Sequence, residues 1–240
     1  MRLVLRNMKE QQETKILSIT CEHCNRTFLR ESTLLKHLCE QKRRWLDRDK
    51  QANRIAYVAW RNYYLRYHPG KKSVEYTDFT RSQYYGAFIK FAIYCSDIGA
   101  VNPAAYSDWL TKNLVPIDTW NTDSVYTKYL VEYLRAEDPY DAVRRSMENL
   151  LDYASIEHVT LSDIFKWGNP NKLCYMITAG KISPWVLYNS KGGVEFLSKI
   201  DSDQTNLLFE YIHPEKWSIK FMREQDMVNG VKKVLAQVPL

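Results

Sequence analysis

Apolar residues return at helical intervals along most of this chain. Tyr57, Trp60, Tyr64 and Tyr67 stand at i, i+3, i+7 and i+10. They form one stripe of a helix that runs in the pattern from about Glu40 to Tyr67. Between Arg81 and Ile98, Tyr84, Phe88, Phe91 and Cys95 share a face, and Gly99 is placed to stop that helix. Tyr126, Tyr129, Leu130, Tyr133 and Leu134 mark another helix that Thr122 or Asp123 caps. Val143, Met147 and Leu150 face inward on one from Pro139 to Tyr153.

Start signals punctuate the same stretch. Asn102-Pro103, Asp138-Pro139, Asn169-Pro170, Ser183-Pro184 and His213-Pro214 each put proline at a first helical position; the first four precede it with a capping side chain. Thr160 leads LSDIFKW, and Asp201 or Ser202 leads DQTNLLFEYI. The last pattern, from Pro214, reads as one helix to about Gln237. Helices this short are marginal alone and must pack on one another. No repeat period stands out. Strands are expected only near the start, at Arg2–Leu5 and Lys15–Thr20. HPGKK at 68–72 is a turn and the expected boundary between residues 1–72 and 73–240. SVEYTDF after it reads as a brief extended segment or a loop.

Cysteine spacing changes the picture at the N-terminal end. Cys21 and Cys24 are separated by two residues, and twelve more separate Cys24 from His37. Phe28 and Leu34 lie between. This resembles the C2H2 zinc-finger family over residues 21–39. The resemblance implies a ββα unit with one structural zinc. It departs at the fourth ligand: no His follows His37 at three to five residues, and Cys39 is the nearest soft donor. Residues two apart on a helix point away from each other, so binding by both His37 and Cys39 requires the helix to end near Leu38. His23, inside the knuckle, is the reserve ligand. The family register would place Arg30, Thr33 and Lys36 where a finger reads bases. One finger covers about three base pairs, too few for a specific site.

Charge is local. From Lys36 to Lys72 there are eleven Lys or Arg against three acids, a net of +8, while the whole chain of 240 residues is +6. Lys42, Arg43, Arg44, Arg48, Lys50, Arg54 and Arg61 are the candidate phosphate contacts there. Trp45, Tyr57, Trp60, Tyr63, Tyr64 and Tyr67 are interleaved with them. Rings beside cations suit unpaired bases, although most of this stripe is expected in the core.

The chain is 45% hydrophobic, enough for a sizeable core. Its start turns polar after five residues, and no apolar run approaches a membrane span. Cys95 and Cys174 fall in apolar helical patterns and are expected as buried thiols, which fits a reducing cytoplasm. No GxxxxGK[ST], HExxH or GxSxG motif occurs, and Gly192-Gly193 is too little to cradle a nucleotide. The expected activity is therefore non-enzymatic.

Residues 156–201 carry a second resemblance. Ile164-Phe165-Lys166-Trp167-Gly168-Asn169-Pro170 before a helix, then Ile182-Ser183, is similar to the C-terminal domain of the helicase-loading protein of T-even-type bacteriophages. That family is all-α and binds forked DNA, single-strand-binding protein and the replicative helicase. The resemblance implies a phage accessory protein in the host cytoplasm, with residues 1–72 as an added module. A transcription regulator contacting RNA polymerase, or an assembly protein using the finger as a protein contact, are the competing readings. The expected fold is mainly α: a ββα-type finger, a long basic helix, then a compact all-α domain.

Overall fold

The structure is a computed structural model that describes residues 18–238 and Leu240. The strand expected at Arg2–Leu5 and most of that at Lys15–Thr20 lie outside those residues. Strand β1 (Ile19–Thr20) pairs antiparallel with β2 (Thr27–Phe28), Ile19 opposite Phe28 and Thr20 opposite Thr27. Everything after it is helical or turn, so the chain is mainly α with a finger-like segment at its N-terminal end.

Helices α1 (Glu31–Lys36) and α2 (Glu40–Leu46) follow the strands. Then come α3 (Gln51–Tyr67), α4 (Tyr76–Arg81), α5 (Tyr85–Asp97), α6 (Pro103–Lys112), α7 (Asp123–Ala136) and α8 (Pro139–Glu157). The last third holds α9 (Ile164–Trp167), α10 (Pro170–Thr178), α11 (Pro184–Asn189), α12 (Lys191–Leu197), α13 (Ser202–Ile212), α14 (Pro214–Arg223) and α15 (Gln225–Leu235).

The Asx and Ser caps work as the sequence implies. Asn102 Oδ1 accepts from the Ala105 amide at 3.1 Å, and Asp138 Oδ1 from Tyr140 at 2.9 Å. Asn169 Oδ1 accepts from Asn171 at 3.0 Å, and Ser183 Oγ from Trp185 at 3.3 Å. Asp201 and Gln204 form a reciprocal capping box.

Three expectations are corrected. The basic helix is two helices: α2 ends at Leu46 with Asp47 as its C-cap, and Lys50 in extended conformation restarts the chain as the N-cap of α3. Residues 76–81 are helical rather than extended or loop, because Glu75 and Asp78 cap each other's backbone amides. The final helix breaks at Glu224 into α14 and α15.

The core runs the length of the helical body. Ala56, Ala59 and Trp60 of α3 are buried in one cluster with Phe79 of α4, Phe88 and Phe91 of α5, and Tyr106 of α6. This packing crosses the turn at 68–72, where a boundary was expected. Asn53, also buried, ties the same helices with donated bonds to Tyr85 Oη at 2.9 Å and Tyr76 Oη at 3.3 Å. A large apolar side chain stabilises by about 1.5–3 kcal/mol when fully buried, so α3 is a major contributor to this body. Cys95 and Cys174 are free, buried thiols as expected, and burial pushes Cys95 up to about 12.

A second core region closes around α8. The Arg145 guanidinium makes a two-point ion pair with the buried Glu137 carboxylate and donates to the Gly180 carbonyl at 2.9 Å. Ser183 Oγ donates to the same carboxylate at 3.0 Å. Gly180 is required there. Its φ is +72°, and a Cβ would meet Leu130 at 2.7 Å and Val101 at 2.9 Å.

Candidate metal centre

The two strands and the turn between them hold the first pair of donors. The Cys21 amide donates to the Arg26 carbonyl at 2.9 Å, and the Asn25 amide to the Cys21 carbonyl at 2.8 Å. Asn25 closes this knuckle with φ +59°, a conformation asparagine tolerates better than most residues. The second pair comes from the junction of α1 and α2. α1 stops at Lys36; His37 is extended, with ψ 118°, and so is Cys39, with ψ 165°. The break around Leu38 lets both side chains turn to the same point.

The donor atoms of Cys21, Cys24, His37 and Cys39 all lie within 4.8 Å of one another. Cys21 Sγ is 4.0 Å from Cys39 Sγ, and Cys24 Sγ is 3.3 Å from His37 Nε2. A tetrahedral zinc with Zn–S of about 2.3 Å and Zn–N of about 2.0–2.1 Å needs edges of roughly 3.8 and 3.5 Å. Three sulfurs and one imidazole nitrogen at these separations fit that ion. His23 lies outside the cluster, its ring 5.4 Å from that of Trp45. Phe28 packs on the His37 ring at 4.7 Å, which orients the imidazole.

The thiols differ electrostatically. Burial pushes Cys21 up, but amide donors of Cys24 and His23, then the Cys24 and Cys39 side chains, outweigh it and leave the thiol below its ordinary value. Burial also raises Cys39, and there the single Lys42 amide, at 3.3 Å, does not reverse it. A bound cation would favour the thiolate at each.

The predicted nucleic-acid contacts are spread over three helices. Arg30, Thr33 and Lys36 are exposed around α1. Arg43, Arg54 and Arg61 are also exposed. Lys42 Nζ donates to the His37 carbonyl at 3.3 Å, closing the metal loop. The remaining three are occupied. Arg44 pairs with Glu40, donates to the Thr80 carbonyl at 2.8 Å and lies 4.2 Å over the Tyr85 ring. Arg48 sits 3.8 Å over the Trp45 ring and 3.7 Å from Asp49. Lys50 pairs with Asp47 at 2.7 Å.

Sequence spacing missed the clamp between finger and body. Arg81 of α4 donates to the Glu22 carbonyl at 2.9 Å and the His23 carbonyl at 3.3 Å. No local pattern marks Arg81, since its partners lie nearly sixty positions away.

Compared with models of protein families, with curated proteins and with solved structures, the chain matches none. No match supports the likeness to helicase-loading proteins drawn from residues 156–201. Among the described residues no helix is long and apolar enough to cross a membrane.

Proposed function

We propose that this chain is a non-enzymatic DNA-binding accessory protein. In this reading a structural zinc holds the finger, basic side chains track the phosphate backbone, and the helical body recruits a replication protein, as helicase loaders do. The observation that carries the reading is unneutralised charge. Of the eleven cations between Lys36 and Lys72, the three acids of that segment pair with Arg44, Arg48 and Lys50. Lys36, Lys42, Arg43, Arg54, Arg61, Arg66, Lys71 and Lys72 make no ion pair among the described residues. Arg54 and Arg61 are seven positions apart on α3, which sets them on one face about 10 Å apart. A closed set of four protein ligands leaves a metal no position for substrate, which favours structure over catalysis.

The test is binding of the full chain to duplex, single-stranded and forked DNA across a salt series. If about five cations reach phosphate, log affinity should fall with log salt at a slope of roughly −3.5 to −4.5. Preference for forks supports the loader role. Absence of binding at moderate salt would sink the proposal. A second reading, the finger as a protein contact, draws on Leu29, Leu35 and Leu38, which are 71%, 72% and 52% exposed.

A further inference from the structure

Beside the turn at 68–72, the C-terminal end of α3, α4 and the turn after α4 line an open cavity of about 650 Å³. Six rings line it: Trp60, Tyr63, Tyr64, Tyr67, His68 and Tyr84. They are ordered against one another. Tyr64 and His68 stack at 4.0 Å and 11°, and Tyr63 lies 4.7 Å from Tyr67 and 6.0 Å from Tyr84. The stack is fixed from behind. His68 Nδ1 donates to the Tyr64 carbonyl at 2.9 Å, which leaves Nε2 of the neutral ring as an acceptor.

Two observations set this wall apart from the core rings of the same helix. Tyr57, Tyr76 and Tyr85 on the packed side all have hydroxyls in protein hydrogen bonds. Tyr63, Tyr64, Tyr67 and Tyr84 make none among the described residues. Trp60 is 2% exposed, yet its indole N–H has no acceptor. That donor belongs to a ring that lines the cavity.

Charge selects the class of that ligand. A ring-lined cavity can hold either a cation or a planar aromatic. Here Lys71 and Arg81 stand in the lining against a single carboxylate, Asp78, which caps the Glu75 amide at 2.9 Å. A cationic guest would meet net positive charge. A planar base carrying phosphate meets rings for its faces, hydroxyl donors for its edge and Lys71 for its backbone, while Arg81, held by the Glu22 and His23 carbonyls, adds its charge.

We infer that this cavity receives an unpaired base of a single-stranded nucleic acid. This rests on the nucleic-acid reading above and extends it from phosphates to bases. The test uses the full chain as purified with its metal. Four labelled decamers are the probes: oligodeoxythymidylate, oligouridylate, an abasic strand of equal charge and a blunt duplex. Oligodeoxythymidylate should bind about ten-fold or more tighter than the abasic strand. Tyr67→Ala and Tyr84→Ala should remove that advantage while leaving abasic and duplex affinities unchanged. Tyr67→Phe and Tyr84→Phe should keep it. Both rings are partly exposed, 48% and 37%, so the variants should keep the parent's melting curve. Oligouridylate separates RNA from DNA as the source, and an advantage of either strand over the abasic one supports the pocket. Equal binding of based and abasic strands would overturn the pocket and leave the phosphate reading standing. No binding of any probe would overturn both. Equal loss of duplex and single-strand binding in the alanine variants would assign the rings to structure and also overturn it.

Discussion

Glu137 is the residue whose loss of a partner should be felt most. Its side chain is 1% exposed, and Arg145 neutralises it through two hydrogen bonds. Burial pushes the carboxyl above its ordinary value, against the pull of Arg145 and Ser183. Removing the guanidinium by Arg145→Met leaves a buried charge and also frees the Gly180 carbonyl. The expected cost is about 3–5 kcal/mol at neutral pH. The sign with pH follows from proton linkage. An unpaired buried carboxyl holds its proton to higher pH in the folded state than in the unfolded one. The variant's deficit should therefore be smallest in mild acid and grow as pH rises towards neutrality. Denaturant melts at pH 5 and pH 7.5 measure it. A deficit that is constant across that range would show that packing, not charge, sets the cost. Nothing in the local sequence around Glu137 announced this pair. The neighbouring Asp138-Pro139 reads as a helix start, and only the fold brings Gly180 to Arg145 and Ser183 to Glu137.

Elements were legible where their signals are local. A capping oxygen followed by proline is chemistry confined to three residues, and the helices after Asn102, Asp138, Asn169 and Ser183 all begin there. The metal cluster was legible for the same reason. Cys21 and Cys24 sit on one knuckle, and the two-residue step from His37 to Cys39 demands the break that ends α1. What stayed hidden depends on tertiary partners. Tyr67 belongs to the apolar stripe of α3 by spacing, yet at the last position of that helix it is 48% exposed. Arg44 reads as one cation in a basic run, but Thr80, Glu40 and Tyr85 immobilise it. This sorting yields a prediction on α2 and α3. Arg43→Ala, Arg54→Ala and Arg61→Ala together should flatten the salt slope of DNA binding by about 2 to 3 units if all three touch phosphate. They should weaken all sequences alike. Arg44→Ala should leave the slope nearly unchanged and lower stability instead. A larger slope change from Arg44 than from the exposed three would reverse the assignment.

At the scale of the whole molecule, the question is where the chain divides. Between residues 18 and 46 only Cys21 is buried, and the continuous core begins in α3. The finger touches the body through polar links: Arg81 to Glu22 and His23, Arg44 to Thr80, and Tyr76 Oη to the Arg44 carbonyl at 3.2 Å. With so little apolar area of its own, the finger should depend on its metal. A chelator should remove one zinc per chain and abolish the order of residues 18–46. It should leave most helical signal and the main thermal transition in place, because residues 18–46 add no buried side chain but Cys21 and the continuous core begins in α3. The first place to cut is therefore the turn at 47–50. A chain starting at Gln51 should fold, since it keeps Trp60 against Phe79 at 5.3 Å. A chain starting at Ser73 loses all of α3, leaving Phe79 and Phe88 uncovered, and it should be less stable by more than the about 3–5 kcal/mol that losing one buried Trp costs. Circular dichroism melts of the two truncated chains, with and without chelator, decide it. Equal stability of both would restore the division at 68–72, and collapse of the whole melt on zinc removal would mean that finger and body fold as one.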